Sequence, residues 1–228
     1  MSIPQNPVTI IIKNSFYPNG LTEGEIWNYY QKYKGIILNN TRGRDLMFAI
    51  MVDVNKPILR RKGIGKNFIQ LTNSNYDNII NGRTTAIYST MKAYEDFCVI
   101  DIDTDDWDKA VEVTPIIYKI MKDSNFIRGI KVLYTGKNSF HLHCKFTNKL
   151  PINKIKSLLT ALFQQNQNPN LFTTLHKRTP GRPNIDISPN KYKGAYITEG
   201  AISIWGLKCM EVHHNIIKTF QQKDARIF

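Results

Sequence analysis

Val99-Ile100-Asp101-Ile102-Asp103-Thr104-Asp105-Asp106 is the stretch on which the reading of this chain turns. An apolar segment, Phe97 to Ile100, leads directly into carboxylates in alternation. In a β-strand, side chains two apart point to the same face. Asp101 and Asp103 then stand together at the end of one strand, and carboxylates that close repel unless a cation sits between them. Hard oxygen donors in such an array suit Mg²⁺ or Mn²⁺. The rest of the chain is basic, with 31 Lys and Arg against 18 Asp and Glu and a formal net charge of +13. An acidic knot in such a chain calls for a physical reason.

Three readings compete for the run. A solvated acidic turn is the plainest. An EF-hand loop would use Asp101, Asp103, Asp105 and Glu112 at its first, third, fifth and twelfth positions. It fails because the sixth position needs glycine and holds Asp106, and because the preceding segment is β-like rather than helical. A catalytic metal site at a strand end is the third reading, and the remainder of the sequence favours it.

Downstream lies Tyr134-Thr135-Gly136-Lys137-Asn138-Ser139-Phe140-His141-Leu142-His143. A strand ends, a short polar turn follows, and a strand restarts with alternating histidines. Turn amides, a lysine, hydroxyls and a histidine on one rim would grip a triphosphate; a polar hairpin with a packed histidine is the simpler alternative. His141-Leu142-His143 also matches the metal strand of rolling-circle nickases. Those enzymes place a Tyr-x-x-Lys helix after the histidines, and the only tyrosines here beyond His143 are Tyr192 and Tyr196, in a Gly-containing loop. Further on, Asn184-Ile185-Asp186-Ile187 places an apolar-flanked aspartate at another strand end, a candidate third carboxylate for a two-metal site.

Around these motifs, periodicity predicts strands at Val8–Lys13, Leu46–Val52, Phe68–Leu71, Thr84–Tyr88, Phe97–Asp103, Gly129–Tyr134, Phe140–Phe146, Asn184–Ile187 and Ala201–Trp205. A helix over Leu21–Tyr33 carries a capping-box signature in Thr22 and Glu25. A second follows the acidic run, with Pro115 kinking it or marking its start. Pro151–Gln164 is an amphipathic helix and Met210–Gln221 a closing one. Strands and helices mixed in this order predict an α+β sheet covered by helices. Arg60-Arg61-Lys62-Gly63-Ile64-Gly65-Lys66 is a basic loop between two strands.

The 228 residues suffice for one large domain or two lobes sharing a core. No apolar run is long enough to span a membrane. Cys98, Cys144 and Cys209 form no Cys-x-x-Cys pair, so no disulfide framework and no zinc are expected, and a reducing cytoplasm is the simple setting. The basic balance points to phosphate backbones.

The acidic pair, the Thr-to-His turn and the later aspartate, in this order, resemble the archaeo-eukaryotic primase superfamily. Its hDhD, Ser/Thr-x-His and hD motifs match Val99–Asp103, Thr135–His141 and Ile185-Asp186. The chain is most similar to the polymerase domain of bacterial ligase D. That likeness extends to Ile10-Ile11-Ile12, Tyr17-Pro18, Thr22-Glu23-Gly24, Tyr29-Tyr30, Gly43-Arg44-Asp45, Asn67-Phe68-Ile69-Gln70 and Asn190. It departs where the family carries nucleotide-binding arginines, since Pro189 and Trp205 stand there, with Lys191, Lys193 or Lys208 as substitutes.

The resemblance implies an RRM-like, antiparallel-rich catalytic sheet at about 96–228 with an N-terminal α/β lobe at about 1–95 packed on it, together one catalytic domain. It implies a template-directed primase-polymerase that adds nucleotides to a 3′-hydroxyl. Asp101, Asp103 and Asp186 would hold a pair of Mg²⁺ or Mn²⁺ ions. Thr135, Lys137, Ser139, His141 and Lys208 would bind the nucleoside triphosphate. Arg60, Arg61, Lys62, Lys66 and Phe68 would contact nucleic acid, with Lys177, Arg178 and Arg182 as further backbone contacts. The partners would be a DNA template and a DNA or RNA primer, bound by a monomer or by a module of a replication, repair or CRISPR-associated assembly. The competing class is a non-catalytic nucleic-acid binding module, against which three carboxylates on the binding face would repel phosphates.

Overall fold

Strands outnumber helices in the computed structural model, which describes residues 9–60, 68–174 and 182–228. β1 (Ile10–Asn14) and β2 (Tyr17–Thr22) form a hairpin, followed by α1 (Glu23–Lys32) and α2 (Lys34–Thr41). Then come β3 (Leu46–Asp53), β4 (Lys56–Arg60), the short α3 (Tyr76–Ile79) and β5 (Thr84–Thr90). The second half runs β6 (Tyr94–Asp103), α4 (Trp107–Lys122), β7 (Ile127–Gly136), β8 (Ser139–Pro151) and α5 (Ile152–Gln165). It closes with β9 (Thr173–Thr174), β10 (Asn184–Asp186), β11 (Ala195–Ile197) and β12 (Met210–Glu211).

The fold is α+β, with antiparallel-rich sheets. Its centre is a β-α-β-β-α-β unit made of β6, α4, β7, β8, α5 and β10, in the sheet order β7-β8-β6-β10 with every neighbour antiparallel. β12 extends this sheet beside β7, and β9 extends it beside β10. A second sheet has the order β11-β5-β3-β4 and draws β11 from the C-terminal half.

Alternation gives the central sheet its two faces. Ile100 and Ile102 in β6 are fully buried and stand opposite Leu142 and Phe140 in β8. This apolar face is covered by α4 and α5. Trp107 of α4 stacks on Phe140 at 5.6 Å between ring centroids and meets Tyr134 edge-on at 5.9 Å. Phe220 closes the cluster 5.1 Å from Tyr134. Each such ring removes about 150–250 Å² from water, which makes this face the anchor of the fold. The intervening residues, Asp101 and Asp103 among them, are turned to the other face.

Local chemistry explains the helix starts. Thr22 Oγ1 accepts from the Glu25 amide at 3.2 Å, and the Thr22 amide donates to Glu25 Oε2 at 2.8 Å, so the expected capping box forms. Asp106 caps α4 by accepting from the amides of Asp108 and Lys109. α4 runs through Pro115 and starts eight residues before it, so the proline neither begins nor ends the helix.

Several expectations are corrected. Leu21 and Thr22 close β2, so the first helix begins at Glu23. Phe68–Leu71 contributes only a bridge between Ile69 and Leu46. Ala201–Trp205 forms only the bridge from Ile202 to Lys208, and Ala195–Ile197 is the strand instead. The closing helix at Met210–Gln221 does not form: Met210 and Glu211 pair with Tyr134 and Leu133 at the edge of β7, and a short 3₁₀ turn follows at His214–Ile216. The edge of β7 needs hydrogen-bond partners, and satisfying it outweighs a modest helical pattern. Val8 and the loop from Arg61 to Lys66 lie outside the described residues.

A side chain fixes where β10 lies. Its residues Asn184, Ile185 and Asp186 pair with Asp103, Ile102 and Asp101. The next rung is made by Asn190, fully buried, whose Oδ1 accepts from the Val99 amide at 2.9 Å. Its Nδ2 donates to the carbonyls of Val99 and Ile187. The amide thus acts as a strand mimic after the chain has turned away. Asn190→Ala would leave the buried N–H and C=O of Val99 unpaired, at a cost of about 1–3 kcal/mol for each unsatisfied group. The urea denaturation midpoint should fall accordingly; an unchanged midpoint contradicts this role.

Candidate active site

Register brings the sequence-predicted residues together. Asp186, Asp101 and His141 lie abreast on β10, β6 and β8, and Asp103 stands next along, flanked by Asn184 and Ser139. All sit on the face opposite the helices. Neighbouring strands are about 4.8 Å apart, so these side chains share one small patch. Asp101 and Asp103 are half-buried, one on each side of the fully buried Ile102.

The hydrogen bonds of this patch are specific. Ser139 Oγ donates to Asp101 Oδ1 at 3.0 Å, and His141 Nε2 lies 3.3 Å from the same oxygen. Asp186 accepts from the Ser188 amide at 2.6 Å and from Ser188 Oγ at 2.8 Å. Thr135 Oγ1 donates to the carbonyl of Ser139 at 3.1 Å, which closes the β7–β8 turn. That turn takes left-handed backbone at Gly136 (φ 112°) and Lys137 (φ 52°). Gly136 is required there, because an added Cβ would sit 2.4 Å from Ser203 Oγ. Asn138 Nδ2 donates to the Asp105 carbonyl at 2.8 Å and ties the turn to the acidic run.

A cavity of about 220 Å³ opens onto the patch. Asp101, Thr135, Ser139 and His141 form one wall, and Tyr88, Tyr196 and Trp205 face them. Pro189 also lines it, so both positions at which the chain departs from the expected arginines border the site. Lys137 Nζ lies 4.8 Å from the Trp205 ring centroid. Lys208 stands in the bridge to Ile202 and is not among the described residues lining this cavity. Lys193 is ion-paired with Asp45 and its Nζ lies 4.2 Å over the Phe68 ring, so Phe68 is half-buried beneath a cation. Arg60 ends β4 in full exposure, and Arg182 donates to the Pro169 carbonyl. Arg61, Lys62, Lys66, Lys177 and Arg178 lie outside the described residues.

The fold is that of a polymerase domain. The chain superposes on the polymerase domain of ligase D from Mycobacterium tuberculosis, a structure in complex with DNA, with a TM-score of 0.74. The match covers 95% of this chain and 88% of that one at 11% sequence identity, so the likeness is one of fold. No protein-family model and no curated protein matches the chain.

The donor set fits a hard divalent cation in chemistry and in backbone register, with carboxylates on adjacent rungs of one face. As placed, the side chains do not converge: among the described residues no group of three or more His, Cys, Asp or Glu forms a metal cage. The cause is visible in the hydrogen bonds, since Asp186 is folded onto Ser188 and Asp101 onto Ser139. Each Asp186 oxygen keeps a lone pair beyond its bond from Ser188, so ligation needs a rotation of the carboxylate toward Asp101 rather than loss of the serine. His141 Nδ1, His143 Nε2 and Asn184 Oδ1 are buried without hydrogen-bond partners among the described residues, and all three belong to this face. Such orphans are uncommon in a folded interior and accumulate where a ligand is handled.

Tyr88 and Tyr196 escaped prediction as a cavity wall, because only the packing of the second sheet brings them there, whereas the resemblance already put Trp205 beside the nucleotide. Tyr88 and Tyr196 sit on β5 and β11, and no local spacing announces that contact.

Burial is the main cause that holds His143 well below the ordinary histidine range, with the nearby His141, Lys131 and Arg44 adding to it. The folded ring therefore stays neutral, while the unfolded one takes up a proton near its ordinary value of 6.5. Its contribution is complete above that value and is lost as pH falls below it, by up to about 1.4 kcal/mol per pH unit. Urea denaturation of the wild type should weaken between about pH 7 and pH 5, and His143→Phe should flatten that slope by one proton's worth. Equal slopes for the two proteins contradict the assignment.

Proposed function

We propose that the protein is a template-directed nucleotidyltransferase of the primase-polymerase kind, acting on a DNA template and a nucleoside triphosphate. The observation that carries the reading is the alignment of Asp186, Asp101 and His141 across three strands, with Asp101 and His141 lining a cavity, on a fold shared with a ligase D polymerase domain.

Asp101, Asp103 and Asp186 would hold a pair of Mg²⁺ or Mn²⁺ ions. Bound there, the ions would activate the primer 3′-hydroxyl and offset charge on the leaving pyrophosphate. The chain's own groups supply orientation. Thr135 and Ser139 hold the β7–β8 turn, whose one exposed residue, Lys137, would receive the triphosphate beside the half-buried Ser139. His141, in contact with Asp101, would donate to a phosphate oxygen. Trp205 and Pro189, in place of arginines, would present an apolar surface to the incoming nucleotide, so grip on the triphosphate falls to Lys137 and the turn. Lysine lacks arginine's bidentate fork, which favours weaker and less directional nucleotide binding. The basic surface supports capture of the template backbone by counterion release.

The test is extension of a labelled primer on a template with Mn²⁺. Asp101→Ala with Asp103→Ala should cost at least about a hundredfold, equal to about 2.7 kcal/mol of transition-state stabilisation. Asp105→Ala should retain most activity, because Asp105 contributes its carbonyl to Asn138 and lies beyond the strand. Extension that survives the double substitution overturns the site.

A further inference from the structure

Behind Tyr196 lies a larger cavity, of about 630 Å³, within the usual range for small-molecule sites. It opens on the same face of the central sheet as the carboxylates, toward the start of β6, and Tyr196 is a wall of both cavities. Its floor is aromatic. Phe97 and His143 are stacked with ring centroids 5.7 Å apart, and Tyr196 meets each edge-on, at 5.7 Å and 5.3 Å. His143 Nε2 has no hydrogen-bond partner among the described residues.

The charges on the wall are already matched. Arg44 makes a bidentate pair with Glu95, at 2.7 and 3.0 Å. Lys131 lies 3.0 Å from Glu199 and 3.3 Å from Glu211. Asp96 and Lys145 add one charge of each sign. A phosphate gains little from such a wall, whereas an uncharged ring gains contact with the aromatic floor and with the Arg44 guanidinium plane that lies 5.1 Å over Phe97 and 5.8 Å over Tyr196, and hydrogen bonds from Asn40 and the carboxylates.

Gly129 lies on the exposed rim of the cavity, inside β7 and opposite Lys145, where the β7–β8 register shifts. A glycine within a strand often marks such an irregularity. An added Cβ there meets no heavy atom of the described residues within 4 Å, so the position tolerates a side chain.

We propose that this cavity is a nucleobase-binding site distinct from the carboxylate site, taking an uncharged purine or pyrimidine ring against Phe97 and Tyr196. The base is that of a free nucleoside or of a single-stranded polynucleotide. The site stands whether or not the carboxylates transfer nucleotides.

Titration calorimetry of the full chain in high salt and EDTA tests it, with adenosine, guanosine, cytidine and thymidine in one arm and the matching single-stranded homo-oligonucleotides in the other. Gly129→Tyr fills the cavity from a strand position that tolerates a side chain, and Phe97→Leu removes the stacking ring while keeping its bulk. Each should weaken binding about tenfold or more, while Asp101→Asn leaves it unchanged. Binding in the nucleoside arm identifies a free ligand; binding in the oligonucleotide arm alone identifies a strand. Overturning results are no binding in either arm, binding indifferent to Gly129→Tyr, or binding abolished by Asp101→Asn. Circular dichroism and the urea midpoint establish that each variant is folded, and a misfolded Gly129→Tyr is replaced by Gly129→Leu.

Discussion

The pairing of a three-residue strand, β10, against the end of β6 is the constraint from which the site follows. Three rungs align Asp186 with Asp101, and a slip of one residue would turn Asp186 to the helix-covered face. So short a strand cannot hold its register by its own ladder. Asn190 adds the missing rung from a side chain, and Ile185 is buried on the apolar face. The carboxylate site is therefore positioned by an amide and a hydrophobe, neither of which touches the cavity.

A second constraint keeps the two sheets together. Glu95, at the start of β6, is almost wholly buried and receives both the Arg44 guanidinium and the Lys92 amide. Burial opposes the Arg44 charge, and the Glu95 hydrogen bonds together with the charges of Tyr196, Glu95 and Asp96 outweigh it, holding Arg44 above the ordinary arginine range. The same guanidinium lies 5.1 Å over the Phe97 ring and 5.8 Å over Tyr196. Removing one partner of such a buried pair typically costs about 3–5 kcal/mol, since the other is left uncompensated. The ion pair ties the segment before β3 to the start of β6, and Arg44 lines the larger cavity.

The parts of the site that lie within one strand or turn were legible in the sequence. Alternation exposed Asp101 and Asp103, the turn motif exposed Thr135, Ser139 and His141, and a strand-end pattern exposed Asp186. Asp106 was readable as a helix start and caps α4. What failed to show was non-local. Met210 and Glu211 read as helix until an unpaired strand edge claims them. The hairpin strand β4 was hidden in a segment that is exposed on both faces, where burial imposes no alternation. Tyr88 and Tyr196 became site residues only once the second sheet packed against the first.

The account depends most directly on whether Asp101, Asp103 and Asp186 bind divalent metal together. A crystal of the protein grown with Mn²⁺ and a non-hydrolysable nucleoside triphosphate, measured at the manganese absorption edge, tests this. The account predicts anomalous peaks between these three carboxylates, with an Asp186 oxygen in the coordination shell. Manganese bound elsewhere, or Asp186 outside that shell with nucleotide present, would contradict it.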